Sequence, residues 1–324
     1  MSLANPTGPV DVSVLVPAKD EAENLPEFVR QCAEAFRSAA FRAEVVVVDD
    51  GSRDDSTAVL QRLAGEYPGF LQVQRHRSRQ GIMEALNTAA LAARGDIFVF
   101  YPADLQFLPS EIPALVQPIL DDQADLVTGA KQGAYERAFV SGIYNGLCRR
   151  LFGVNATDLN SVKAYRREVA LVVPARPDWH RYIAVMAAVS GFRVTERPVT
   201  LHPRRAGQSK FGLGRIPVGV MDLLSVWFQV RFGRKPMLFF GVLGSLLFAV
   251  GFLAGVVALW IRVVNGVGFR PLLNLIETLV ISGIALFGFG FIGELLAGQR
   301  EEVRELRRTL REIAAGRADR QDSS

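Results

Sequence analysis

Between Met237 and Ile261 the chain runs for 25 residues without a charged side chain. At ~1.5 Å per residue, a helix of that length exceeds the ~30 Å hydrocarbon thickness of a bilayer. A second apolar stretch, about Leu272 to Ala297, follows after a short break and carries only Glu277 and Glu294, both near its ends. Two adjacent stretches of this kind predict a membrane hairpin; the competing reading is a buried helical hairpin in a soluble protein. Arg231, Arg234 and Lys235 precede the first stretch, and Arg300, Arg304, Arg307, Arg308 and Arg311 follow the second. Basic residues collect on the cytoplasmic flank of a span, so both outer ends are expected in the cytoplasm and the chain in the cell inner (cytoplasmic) membrane as a multi-pass protein.

The remaining composition fits a soluble part joined to this membrane part. Hydrophobic residues make up 49% of the chain, yet charged ones crowd before Lys235 and after Gln299. A net charge of +4 over 324 residues, without a long Lys/Arg run ahead of the spans, gives nucleic acid no electrostatic footing. Cys32 and Cys148 lack any C-x-x-C or Cys/His ligand spacing, which argues against a disulfide framework or zinc site and for reduced core residues. Met1 to Asp11 is polar and the apolar run Val12 to Val16 is too short for a signal h-region, so the N-terminal domain is expected to stay cytoplasmic.

From Val12 to Gly129 short β-branched runs alternate with longer amphipathic stretches, the rhythm of a mostly parallel sheet covered by helices. Strands are expected at Val12 to Val16, Val45 to Val48, Leu71 to Gln74, Ile97 to Tyr101 and Leu126 to Thr128. Helices are expected after Asn24 as a cap with Pro26 in the first turn, over Gly81 to Arg94, Pro109 to Leu120, Arg137 to Phe152 and Trp179 to Val189. Arg193 to Leu201 returns to strand-like alternation. Gly214 to Gly233 mixes apolar bulk with Arg215, Asp222, Trp227 and Arg231, as a helix in the membrane interface would. In the charged tail, Val303, Leu306, Leu310 and Ile313 form a stripe that suits helix pairing in a homo-oligomer, contact with headgroups, or a solvated helix continuing the second span.

Open α/β sheets bind ligands where the strands deliver their C-terminal ends, and three predicted strands end in polar clusters. These are Pro17-Ala18-Lys19-Asp20-Glu21, Asp49-Asp50-Gly51-Ser52 and Pro102-Ala103-Asp104-Leu105-Gln106. Any one alone suits an ordinary turn or helix cap; together they converge on one crevice. No Gly-rich phosphate loop of G-x-G-x-x-G or Walker type is present, so a nucleotide site here is expected to be built on carboxylates.

These segments, with Val14 to Pro17 leading the first and Val46 to Val48 the second, resemble the family 2 inverting glycosyltransferases of the GT-A fold. Lys163-Ala164-Tyr165-Arg166-Arg167-Glu168-Val169 and Pro203-Arg204-Arg205-Ala206-Gly207-Gln208-Ser209-Lys210-Phe211-Gly212 narrow the resemblance to polyprenyl-phosphate sugar synthases. It covers about Val12 to Gly233. The implied architecture is an α/β GT-A domain (a Rossmann-like mixed sheet flanked by helices) over 12–213. An extension (1–11) precedes it; an interfacial helix (214–235), two transmembrane helices (236–298) and a charged cytoplasmic helix and tail (299–324) follow.

Residue by residue, the resemblance implies that Pro17, Lys19, Glu21, Val48 and Asp50 line the base and ribose of a UDP- or GDP-hexose, and it groups Ala103 and Lys131 with the donor site. Asp104 and Gln106 would hold its diphosphate through Mg2+ or Mn2+, a hard cation suited to oxygen ligands. Arg204 and Lys210 match a cationic loop closing over the donor phosphates, and Arg137 and Ser141 match a pair gripping the acceptor phosphate. Asp158 matches an aspartate near the acceptor, a candidate for orienting the nucleophile, with capping or pairing to an arginine as its structural alternative. The chain departs from the pattern at Pro102, where the first metal-motif aspartate is usual, at Lys131 and Gly142, where arginines are usual, and in a 158–163 segment one residue shorter. The expected reaction is inverting transfer of a hexose to a polyprenyl phosphate at the cytoplasmic membrane face. Another membrane lipid as acceptor, or a catalytically silent scaffold, are the alternatives.

Overall fold

The computed structural model describes residues 9–132, 146, 150–152, 158–173, 176, 179–203, 216–266, 268 and 270–321. The chain divides into two compact units, Met1–Arg215 and Ile216–Ser324.

The first unit is built on a seven-stranded sheet: β1 (Val12–Ala18), β2 (Ala43–Asp50), β3 (Leu71–His76), β4 (Ile97–Phe100), β5 (Leu126–Gln132), β6 (Lys163–Arg166) and β7 (Val194–Thr200). Their order is β3-β2-β1-β4-β6-β5-β7, with β6 antiparallel to both neighbours and every other pair parallel. The runs Val12–Val16 and Val45–Val48 are buried on both faces, which is what continuous β-branched sequence in a parallel sheet requires. Helices α1 (Leu25–Arg37), α2 (Ser56–Glu66), α3 (Ile82–Ala92), α4 (Ile112–Leu120), α5 (Arg167–Val172) and α6 (Ile183–Val189) accompany the sheet.

The strands lie where the β-branched runs predict them; β1, β2, β3 and β5 extend further toward their polar ends, β4 stops one residue short at Phe100, β7 loses a residue at each end, and β6, α2 and α5 are additional to the expected elements. Strand β6 has only four residues and its side chains alternate no apolar face, so its identity comes from pairing Phe100 with Lys163 and Thr128 with Lys163 on its two sides. Asn24 does stand at the N-terminus of α1, but its amide donates to Glu21 Oε2 at 2.7 Å and makes no capping bond. The predicted helix over Arg137 to Phe152 falls almost wholly outside the described residues, as does Cys148; Cys32 is buried and free.

In the second unit α7 (Ile216–Phe232) is followed by α8 (Pro236–Asn265) and α9 (Arg270–Gln321). Helix α8 ends at Gly266, whose φ of +67° is the left-handed cap that a glycine supplies without steric cost. The backbone of α9 continues without a break through the charged tail. Two segments, Pro236–Asn265 and Arg270–Val303, are long and apolar enough to cross a membrane, with mean hydropathies of 2.5 and 2.1. Only 11% of each apolar window is buried, so the interior of a soluble helical hairpin is not what these side chains occupy. The pair packs along glycines. A Cβ on Gly244 would stand 2.7 Å from Gly283 O and Phe287 N, and one on Gly283 would stand 2.6 Å from Phe248 N. Close backbone approach of this kind holds apolar helices together where water gives no drive to association. Glu294, one of the two carboxylates near the ends of the second stretch, accepts the Met237 N–H at 3.2 Å and so satisfies one orphan donor at the start of α8.

Candidate active site

The parallel strands β1, β2, β4, β5 and β7 deliver their C-terminal ends to one edge of the sheet, and the antiparallel β6 begins there. The polar clusters meet at that edge. The turn after β1 is fastened to the turn after β2: Asp20 N donates to Ser52 Oγ at 2.9 Å, Arg53 N to Asp20 Oδ1 at 2.8 Å, Glu21 N to Ser56 Oγ at 2.9 Å and Lys19 Nζ to Gly51 O at 3.2 Å. Lys19 and Glu21 are half-buried on this rim, as is Pro17. Val48 is wholly buried, so its side chain only supports the wall behind them.

The paired aspartates of β2 do different work. Asp49, buried, accepts from Ser52 N at 2.9 Å and Thr57 Oγ1 at 2.5 Å, which fixes the turn and the start of α2. Burial alone would raise its pKa, but those bonds and Arg75 outweigh burial and hold it below the ordinary carboxylate value. Asp50 is clasped from the far side: Gln80 N reaches Oδ1 at 2.7 Å, Gly81 N reaches Oδ2 at 2.8 Å, and His76 Nδ1 lies 2.8 Å from Oδ1. Here too burial is outweighed by these donors and the pKa stays low. Asp50 is therefore an anion that organises the β3–α3 loop as well as a candidate contact for the nucleotide. Gly51 permits the close approach, since at φ +68° a Cβ would strike Arg79 N and Ser78 C at 2.7 Å.

After β4 the residues alternate: Tyr101, Ala103, Leu105 and Phe107 are buried while Pro102, Asp104 and Gln106 are half-buried. Leu105 adopts φ +55°, a left-handed conformation costing about 1–3 kcal/mol for a branched residue, and its burial secures the turn that leaves Asp104 and Gln106 on the open side. Gln106 also meets the end of β7: His202 N donates to Gln106 O at 2.8 Å, and Gln106 Nε2 lies 3.5 Å from His202 O. Nothing in the spacing of residues 106 and 202 announces this contact; it depends on β7 joining the sheet beside β5.

Lys131, at the end of β5, reaches Asp158 Oδ2 at 2.8 Å and Asn160 O at 2.9 Å. Asp158 Oδ1 in turn accepts from Asn160 N at 2.8 Å. The structure thus joins Lys131, grouped with the donor residues from sequence, to Asp158, assigned to the acceptor. Arg137, Ser141, Arg204 and Lys210 lie outside the described residues.

Residues 13–142 match the domain described as Glycosyl transferase family 2. Over 305 residues the chain is 30% identical to the dodecaprenyl-phosphate galacturonate synthase of Rhizobium johnstonii, covering 90% of this chain and 89% of the relative. The chain belongs to the family 2 glycosyltransferases. A second relative of this glycosyltransferase, the undecaprenyl-phosphate 4-deoxy-4-formamido-L-arabinose transferase of Pseudomonas fluorescens, is 29% identical over 299 residues, 90% of this chain and 86% of the other. Among solved structures, the glucosyl-3-phosphoglycerate synthase of Mycobacterium tuberculosis, determined with Mn2+, UDP and glucosyl-3-phosphoglycerate, superposes with a TM-score of 0.53 at 20% identity. The superposition covers 70% of this chain and 81% of that one, and establishes the GT-A fold of the glycosyltransferase unit.

That synthase is solved both with Mn2+ and UDP and with Mg2+ and UDP. Among the described residues of this glycosyltransferase no three His, Cys, Asp or Glu side chains gather as a cage. The oxygen-bearing side chains in the turn after β4 that sequence assigns to a metal are one carboxylate, Asp104, and one amide, Gln106, both half-buried. Hard oxygens in that number fit a cation that takes the rest of its shell from a diphosphate and water, the habit of Mg2+.

Proposed function

We propose that this glycosyltransferase moves a hexose from a UDP- or GDP-sugar to a polyprenyl phosphate at the cytoplasmic face of the inner membrane. The observation that carries this reading is the division of one sheet edge into two chemistries. Asp104 and Gln106 offer oxygens to a metal-bound diphosphate, while Lys131, paired with Asp158, offers a cation to a second phosphate. The names of the relatives, which act with dodecaprenyl or undecaprenyl phosphate, support the acceptor class. The glycine-packed apolar hairpin and its basic flanks support a two-span anchor with both ends cytoplasmic.

The chemistry requires little general-base help, because a phosphate monoester is already ionised at neutral pH. Its oxygen attacks the anomeric carbon as the bond from that carbon to the diphosphate breaks, and the nucleoside diphosphate departs with inversion at the sugar. A divalent cation, when bound, supplies positive charge to the leaving diphosphate. Asp104 and Gln106 would hold it there, and Asp158 with Lys131 would orient the incoming oxygen, a positioning that lowers the barrier by fixing the line of attack. Arg204 and Lys210 are assigned to the donor phosphates, and Arg137 and Ser141 to the acceptor.

Membranes containing the protein, incubated with a panel of labelled UDP- and GDP-sugars, should pass label into extractable lipid. A sugar phosphodiester releases its label in mild acid, whereas a diacylglycerol glycoside retains it. Acid-stable label would overturn the phosphate acceptor while leaving the transferase assignment intact.

A further inference from the structure

We propose that Lys163 is a positioning residue for the acceptor phosphate: its buried ammonium clamps the 158–161 loop so that Asp158 and Lys131 stay paired at the sheet edge. The inference rests on the reading of Asp158 and Lys131 as the acceptor side of the site. Lys163 opens β6 and is wholly buried, an uncommon place for a lysine. Its Nζ donates to Leu159 O at 2.9 Å and Ser161 O at 2.8 Å, two main-chain carbonyls of the loop that begins at Asp158. The same ammonium stands 5.8 Å from the centre of the Phe100 ring on β4. A lysine that only filled space would not bind two consecutive-turn carbonyls, and a buried cation is costly unless such acceptors compensate it.

Among the described residues the loop has few other ties. Thr128 Oγ1 bonds Asp158 O at 3.3 Å, Gly129 N bonds Val162 O at 2.9 Å, and Ser161 Oγ finds no partner among the described residues. Gly129 brings β5 so close that a Cβ there would lie 2.8 Å from Ser161 Oγ. Lys163 is thus the donor beneath the loop, while Lys131 closes it from above through Asp158 Oδ2 and Asn160 O.

Charge around Lys163 is mixed. Asp158 favours its ammonium form, whereas Lys131 on β5 and Arg181 beyond β6 oppose it, and burial, the largest influence, brings its pKa down to about 7. His180, buried against Phe100, is kept neutral by its own burial and by Lys163, its pKa falling to about 3. Among the described residues Asp158 is the carboxylate that favours the ammonium, and its loop is where the cation's bonds are made.

The test compares two ligands on the detergent-solubilised full chain: farnesyl phosphate as acceptor probe, and whichever of UDP or GDP the wild type binds with Mn2+ as donor probe. Lys163→Met, of similar volume but without donors, should weaken farnesyl phosphate by about tenfold, the scale of one or two unmade hydrogen bonds. Donor-probe affinity should stay within about twofold of wild type, as expected for a site that the clamp does not touch. Lys163→Gln, which keeps a donor, should recover most of the loss and serves if the methionine variant does not fold. Equal weakening of both probes, or no acceptor effect in either variant, would overturn the proposal. Asp158→Asn and Lys131→Ala run in parallel: if they leave farnesyl phosphate affinity unchanged, it is the acceptor-side reading that fails, whatever Lys163 does.

Discussion

His76 Nδ1 lies 2.8 Å from Asp50 Oδ1, and the other ring nitrogen of His76 lies 2.9 Å from Thr88 Oγ1 on α3. The two residues are register partners at the ends of neighbouring parallel strands, so the histidine ties the end of β2 to the helix that follows β3. His76→Ala should cost about 1–3 kcal/mol of stability by leaving buried polar atoms short of a partner. It should also weaken nucleoside diphosphate binding, because His76 steadies the Asp50 carboxylate that accepts the Gln80 and Gly81 N–H groups. Calorimetry of UDP and GDP binding, beside thermal unfolding, reads both; unchanged affinity would remove Asp50 from the nucleotide site.

Metal binding should be weak in the apo protein and acquired with the nucleotide, since in the turn after β4 Pro102 has no side-chain oxygen and the proposed ligands there are Asp104 and Gln106. Asp104→Ala should abolish the Mn2+ dependence of nucleoside diphosphate binding, and Pro102→Asp should tighten Mn2+ binding by supplying a second carboxylate. Titration with and without chelator measures this. Equally tight binding after chelation and in Asp104→Ala would refute the assignment.

The hairpin glycines set a third expectation. Gly283→Leu places a side chain where Phe248 N and Gly244 O already stand, with a Cβ only 2.6 and 2.8 Å from them. The two helices must then separate, and cross-linking of cysteines placed on the facing turns should fall sharply, whereas Gly288→Leu, with nothing within 4 Å, should leave it unchanged.

Cysteines introduced at Asn5 and Arg320 test the topology. In intact cells both should resist a membrane-impermeant thiol reagent and both should react after permeabilisation. Labelling of just one would exclude an even number of spans.

Acid sensitivity should map to a carboxylate cluster at the opposite edge of the sheet. Asp125 accepts from Arg193 at 2.8 to 3.1 Å and from Arg166 at 3.2 Å, and hydrogen bonding to Arg193, opposed by partial burial, brings its pKa down to about 2. A lowered carboxylate pKa gives stability that is fully present above the unfolded value and is lost as pH falls through the folded one. Arg193→Ala should therefore lower the thermal midpoint at pH 7, and the gap to wild type should narrow as pH drops from about 4 toward 2, the interval between the two pKa values.

Much of this protein was legible in its sequence because the signals are local. The β-branched runs from Val12 and Val45 fix buried parallel strands; the absence of charge from Met237 to Ile261 fixes an apolar helix; and polar residues directly after strands mark the edge that carries the candidate site. Each of these depends on neighbours within a few positions and on the period of a strand or helix. Tertiary structure alone decided the rest. The antiparallel insertion of β6 between β4 and β5 brings Lys163 to Phe100 and Asp158 to Lys131, and β7 carries His202 to Gln106. Those pairs are separated by 27 to 96 positions, and no sequence period reports them. Their partners are chosen by strand order, which is settled only when the whole sheet has buried its apolar faces.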